Sequence, residues 1–91
     1  MKNTRKKVYQ LIDGERAYQN KKWGVDSGRA KMPEHSPQEW LTYIKDYAEE
    51  ALHIGARETW ETGEAKQMAN IRKIAAIAVA AMEEHEVEPR K

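Results

Sequence analysis

The sequence predicts an all-α fold: a bundle of three helices, completed by homo-oligomerisation. Three observations carry this. Apolar residues recur at three- and four-residue spacing in two long stretches, around residues 8–19 and 40–55. A complete helix-start signal, Ser36-Pro37-Gln38-Glu39, opens the second of them. A nine-residue apolar block rich in alanine, Ile74 to Met82, occupies the centre of a third. No sheet is expected. The 91 residues make one domain, 1–91, with a basic N-terminal end over 1–7, a loop over 24–35 and a polar tail over 86–91.

The first helix is expected from about Thr4 to Lys21, with Val8, Leu11, Ile12, Glu15, Tyr18 and Gln19 on one stripe. Glu15 stands where a leucine would be expected. A carboxylate buried there needs a partner or a metal; alternatively the helix packs askew and leaves Glu15 on the rim. Two glycines and Pro33 mark the loop that follows. Gly24 to Gly28-Arg29 is not a phosphate-binding loop, because it lacks the Gly-Lys-Ser/Thr ending and no strand precedes it.

In the second helix Ser36 is the N-cap, Pro37 takes the first helical position and Glu39 completes a capping box. Trp40, Leu41, Ile44, Tyr47, Ala48, Ala51 and Gly55 share one face. Lys45, Asp46, Glu49, His53 and Arg57 fall opposite, with Lys45 and Glu49 spaced for a weak ion pair. Glu50 lies on the border beside Tyr43 and Tyr47, and is the acid expected to meet another helix. Asp46, Glu49 and Glu50 sit within about one turn. Such a cluster suits Mg²⁺ and nucleotide phosphates, since hard cations take several oxygen ligands. It equally suits a plain soluble surface.

A turn is expected over Arg57 to Gly63, with Gly63 as the breaker, and a third helix from about Glu64 to Glu86. The centre of that helix is apolar all the way round, which implies burial on every side. Two other helices in so small a chain cover only part of it, so a homodimer or higher homo-oligomer through this Ala-rich helix is expected. Size points the same way. A chain of this length buries roughly 60% of its unfolded surface and needs added stabilisation. The absence of cysteine excludes disulfides, thiolate zinc sites and cysteine nucleophiles as its source.

Other classes are disfavoured. Nine apolar residues in a row fall short of the ~20 that span a bilayer, and the basic N-terminus leads into an amphipathic pattern, unlike a signal peptide. A cytoplasmic protein with no membrane partner is expected. Sixteen Lys and Arg balance fifteen Asp and Glu, without the concentrated basic patch that nucleic acid asks for. Lys2, Arg5, Lys6 and Lys7 read as a solvated end. The two serines, Ser27 and Ser36, suggest no triad, and His35, His53 and His85 lack the His-Glu-x-x-His spacing. Glu83, Glu84, Glu86 and Glu88 read as a solvated helix end and tail. A metal site built from two helices would need acids on the third helix, where the chain instead has Asn70-Ile71-Arg72-Lys73. Arg72 and Lys73 suit direct contact with phosphate.

Several short motifs bring a family into view: Glu15-Arg16-Ala17-Tyr18-Gln19, Lys22-Trp23-Gly24, His35-Ser36, Glu39-Trp40-Leu41, Glu49-Glu50-Ala51, and Ile71-Arg72-Lys73-Ile74 running on to Met82-Glu83 and His85. Over about residues 15–90 the chain resembles the small MazG-like all-α proteins of phage and bacterial genomes. The resemblance implies an oligomeric helical core and a nucleotide pocket. Family enzymes release pyrophosphate from a nucleoside triphosphate, using Mg²⁺ held by a Glu-x-x-Glu pair and a later Glu-x-x-Asp pair. Asp46-x-x-Glu49 matches the first pair with Asp for Glu, and a shifted register would use Glu50 and His53. The later pair falls on Asn70 and Lys73, neither of them acidic.

Two nucleotide readings follow from the resemblance. In one, Glu50 and Glu49 are catalytic, and Asp46, Glu49, Glu50 and Glu15 hold Mg²⁺. In the other nothing is cleaved: Arg72 and Lys73, with Lys22 and Asn70, hold the phosphates while Trp23 or a tyrosine stacks on the base. Such a phage protein would sequester a nucleotide signal used in host defence. A third reading is a helical protein-interaction module, with Trp40, Tyr43, Tyr47 and Trp60 as interface anchors.

Overall fold

A computed structural model of the chain describes residues 2–25 and 34–90. These form three α-helices, α1 (Arg5–Trp23), α2 (Pro37–Arg57) and α3 (Trp60–Glu84), and no strand. The expected all-α class is therefore observed. Of the loop expected over 24–35, only Gly24, Val25, Glu34 and His35 are described; Ser27 and Gly28-Arg29 lie outside the described residues.

Each helix boundary has a local chemical cause. The Thr4 hydroxyl accepts the Lys7 N–H at 3.2 Å and so caps α1. Gly24 ends the helix in the left-handed region (φ 79°), which a residue without Cβ adopts freely. There the Val25 N–H reaches Asn20 O and the Gly24 N–H reaches Lys21 O, the paired bonds of a Schellman stop. At the start of α2 the expected capping box is present in both directions: Glu39 N–H to Ser36 Oγ at 3.2 Å, and Ser36 N–H to Glu39 Oε1 at 3.0 Å.

The third helix corrects the expectation. It begins at Trp60, not Glu64, and ends at Glu84, not Glu86. Gly63 is not a breaker but a buried helical residue whose N–H bonds Thr59 O at 2.8 Å. A Cβ there would stand 3.4 Å from Glu58 Cβ and 3.7 Å from Ile54 O, ordinary contact distances, so the position is an unstrained part of the helix and not a stop. The connection shrinks to Glu58 and Thr59.

Helix α3 is the shared element. Both α1 and α2 pack on it, whereas α1 and α2 do not pack along one another. Trp40, Ile77 and Ala80 form the core, with Trp23, Ile44, Tyr47 and Ala81 around them. Ala76 and Ala80 have no exposed surface, because their methyl-sized side chains let neighbouring helices approach closely. All-round burial of α3 is not reached in the single chain: Ile74, Ala75, Ala78, Val79 and Ala81 are half-buried and Met82 is exposed.

The face that α1 buries is the larger surprise. Half of the expected stripe faces inward, with Gln19 buried and Ile12 and Glu15 half-buried, while Val8, Leu11 and Tyr18 are exposed and Arg16 is buried in their place. The reason is an ionic seam. Arg16, 5% exposed, makes a forked contact with Glu83 (Nε to Oε1 2.7 Å, Nη2 to Oε2 3.2 Å) and donates to Asn20 Oδ1. Arg72 Nε meets Glu15 Oε1 at 2.7 Å. Long cations reach across where leucines would have packed, and their stems cover apolar surface on the way. Glu83 is thus a structural partner and not the solvated acid expected.

Replacing Glu83 by Gln should cost about 1.5–3 kcal/mol of unfolding free energy, since the buried Arg16 loses its charged acceptor. Glu49→Gln, which breaks only the exposed 3.7 Å pair with Lys45, should cost less than about 0.5 kcal/mol. Urea titrations of both variants check the contrast. Acid should loosen the start of α2 for a separate reason. The Ser36 backbone N–H, then its hydroxyl, hold the exposed Glu39 carboxyl below its ordinary 4.5. The cap's contribution is complete above that ordinary value and disappears as pH falls through the lowered one. Amide exchange at Gln38 to Trp40 should accelerate over that interval, and Glu39→Gln should flatten the response.

Candidate functional site

The C-terminal end of α1, the approach to α2 and the outer turns of α2 surround a cavity of about 310 Å³ above α3. Its wall is Trp23, His35, Trp40, Tyr43, Tyr47 and Ile77. Five of those six side chains are planar rings, a composition expected of a ligand pocket more than of a helix surface. Trp40, Tyr43 and Tyr47 reach it together because they lie three and four residues apart on α2. Trp23 reaches it from the last turn of α1, its ring 5.6 Å from the Arg16 guanidinium carbon.

His35 is set by the far end of the chain. Its backbone N–H donates to Glu84 Oε1 at 2.7 Å, and its carbonyl accepts from His85 Nε2 at 2.7 Å, a geometry that requires the proton on that nitrogen. The His35 ring stands edge-on to Trp40 at 5.0 Å and to Tyr43 at 5.1 Å. Glu84 and His85, read from the sequence as part of a solvated end, therefore hold one wall of the pocket. The Trp40 indole N–H is buried and has no partner among the described residues, nor do Gln19 Oε1 and Glu84 Oε2.

The sequence-derived site residues divide into three groups. Trp23 lines the pocket, and the Lys73 ammonium lies 5.9 Å from the centre of the Tyr47 ring. Lys22, beside Trp23 in the chain, is exposed. Asn70 and Arg72 are committed elsewhere. Asn70 is 3% exposed and donates its amide to Tyr47 O at 3.1 Å, tying α2 to α3, and Arg72 is engaged by Glu15.

The acids form the third group. Asp46, Glu49 and Glu50 are all exposed on α2. Glu50, expected to meet another helix, meets none, because α2 packs on α3 through its opposite side. Glu15 has the partner its position demanded, a cation and not other acids. Among the described residues no three His, Cys, Asp or Glu side chains converge as a metal site. His35, Glu84 and Arg16 were the residues missed as site builders, while Tyr43, with Trp40 and Tyr47, was named as an interface anchor. The aromatic spacing on α2 reveals Tyr43, while no sequence signal linked His35 to Glu84 across 49 residues.

No protein-family model, curated protein or solved structure matches the chain. The likeness to MazG-like proteins accordingly rests on the short motifs alone. No helix among the described residues is long and apolar enough to cross a membrane.

Asn70→Asp tests what that position does. A carboxylate cannot donate to the Tyr47 carbonyl and would be buried facing it, which should cost about 3 kcal/mol near neutral pH. The loss should shrink as pH falls, because the protonated acid regains a donor. Denaturant titrations at two pH values measure it.

Proposed function

We propose that the protein binds a nucleotide and does not cleave it. The observation that supports this most is the aromatic pocket, one of whose rings, Tyr47, has the Lys73 ammonium 5.9 Å from its centre. A cavity of about 310 Å³ is near the lower end of the roughly 300–1,000 Å³ usual for small-molecule sites, room for one flat ring system. Stacking on aromatic side chains contributes about 1–3 kcal/mol per base and tolerates any base, because each has a π-face. Lys73, beside the Tyr47 ring, and exposed Lys22, next to Trp23 in the chain, favour a ligand carrying phosphate over a cationic one. A ring nitrogen or carbonyl of the ligand would satisfy the Trp40 N–H.

The hydrolytic reading requires Asp46, Glu49, Glu50 and Glu15 to share Mg²⁺, so that the metal activates water and neutralises developing charge. Three of those acids are solvated and the fourth is neutralised by Arg72. The binding reading needs no rearrangement of either. It fits the expectation of a phage protein that holds a nucleotide signal out of circulation.

Nucleoside mono- and triphosphates should quench the tryptophan fluorescence and give saturable heats in calorimetry, with or without Mg²⁺. Tyr47→Ala should weaken binding roughly 5- to 150-fold, the range that stacking implies. Lys73→Gln should weaken triphosphates more than nucleosides. No pyrophosphate release is expected from any triphosphate. Metal-dependent turnover abolished by Glu50→Gln would replace this reading with the hydrolase, and the absence of any nucleotide binding would remove both.

A further inference from the structure

His35 is the one side chain in the wall of the aromatic pocket that titrates near neutrality, and the nucleotide reading gives it no task. Its surroundings hold the ring in place. Glu84 and His85 tie its backbone on both sides, each bond 2.7 Å long, and the ring stands edge-on to Trp40 and Tyr43. The side chain is 22% exposed, so a ligand in the pocket can reach it.

One of its two nitrogens already faces an acid. Nδ1 stands 3.6 Å from Glu39 Oε2, too far for a hydrogen bond from a neutral ring but close enough to attract an imidazolium. Glu39 is an anion wherever imidazole titrates. The Ser36 backbone N–H, the Ser36 hydroxyl and, to a smaller degree, His35 hold its carboxyl below the ordinary 4.5. The other nitrogen, Nε2, has no partner among the described residues. The remaining titratable groups at this wall are Tyr43 on α2 and Glu84 and His85 at the end of α3. Glu84 Oε1 is taken by the His35 backbone and lies 3.4 Å from His85, so among the described residues Glu39 is the only acid paired with the ring. From α1 the pocket receives Trp23, with the Arg16 guanidinium against that indole.

We propose that His35 is the proton-dependent anion contact of this pocket. As a phosphate-bearing ligand enters, the ring takes up a proton and stands as an imidazolium between Glu39 and the ligand. The proposal rests on the nucleotide reading and adds to it a proton bound together with the ligand. An anion brought within about 4–6 Å of an imidazole favours its charged form by roughly one to three pH units, and solvent in an open pocket keeps the effect near the lower end. Because the ligand raises the proton affinity of His35, the protonated protein binds it more tightly. The gain is complete below the midpoint of the free protein and is lost as pH rises through the midpoint of the complex.

Proton NMR of the full chain tests this, with the His35 ring resonance assigned through the backbone and followed from about pH 5.5 to about pH 8.5. Saturating adenosine monophosphate should raise the His35 midpoint by about one pH unit and leave that of exposed His53 in place. In calorimetry, the affinity of the wild type relative to His35→Gln should be about tenfold greater at the acid end of that range than at the alkaline end. Taking the ratio removes the ligand's own phosphate titration, which both proteins share. The wild-type resonance decides the matter even where His35→Gln fails to fold. An unmoved or lowered His35 midpoint with nucleotide bound would overturn this proposal and leave the nucleotide reading standing. Absence of binding at every pH would overturn both.

Discussion

The contact on which the rest of the molecule depends is that of Arg16. Its guanidinium binds Glu83 in a fork, reaches Asn20 on its own helix and lies over the ring of Trp23. One buried cation therefore fixes the angle of α1 on α3, stiffens the last turns of α1 and delivers Trp23 to the aromatic pocket. A leucine at that position would bury similar area without direction, whereas a planar fork accepts only a narrow range of geometries. The seam that seats α1 is largely polar: Arg16, Gln19 and Glu15 face inward beside Ile12, and Val8, Leu11 and Tyr18 are left outside it. Exposure of Val8, Leu11 and Tyr18 is the other side of burying Arg16.

A second dependence runs through the C-terminal end of α3. Glu84 and His85 take both backbone groups of His35, so the approach to α2 is tied down before the capping box of Ser36 and Glu39 begins the helix. The cap sets where α2 starts, and the tie sets where that start lies on α3. Together they place Trp40 against Ala80 and Ile77, and Tyr43 and Tyr47 one and two turns further along the pocket wall. Pocket and core are thus continuous, and Trp40 belongs to both.

What was legible in the sequence follows the range of the interactions involved. The cap at Ser36 and most of the apolar face of α2 depend on residues three to seven apart, so the helical class and the start of α2 read directly, whereas Leu41 and Gly55 of that face are exposed. Gly63 was misread because a glycine does not by itself end a helix: its N–H bonds Thr59 O inside the opening turn of α3, and it lies at ordinary contact distance from Ile54 and Glu58. The rotation of α1 was unreadable for a deeper reason. A hydrophobic stripe predicts the buried face only where burial is apolar, and here two ion pairs spanning 57 and 67 residues outweigh it. The pocket was half visible, in Trp23 and the tyrosines, but His35 entered it through partners at the opposite end of the chain.

The position of Asn70 shows why an ionised acid at that place and this arrangement of helices are incompatible. The Asn70 side chain lies between α2 and α3 and donates to the carbonyl of Tyr47. An ionised acid there would present lone pairs to lone pairs in a buried setting, pushing apart the two helices that form the core. Tyr47 also bears the Lys73 ammonium near its ring face, so a cation already stands where an incoming divalent ion would need negative ligands. Neutral Asn70 and positive Lys73 act in concert: one fixes the backbone of Tyr47, and the other sets the electrostatic character of the surface it presents. The nearest compensating carboxylate on α1, Glu15, is held by Arg72 in the next position along α3. Across α1, α2 and α3, the neutral and charged groups at this end of the bundle are set by the same contacts that hold the fold.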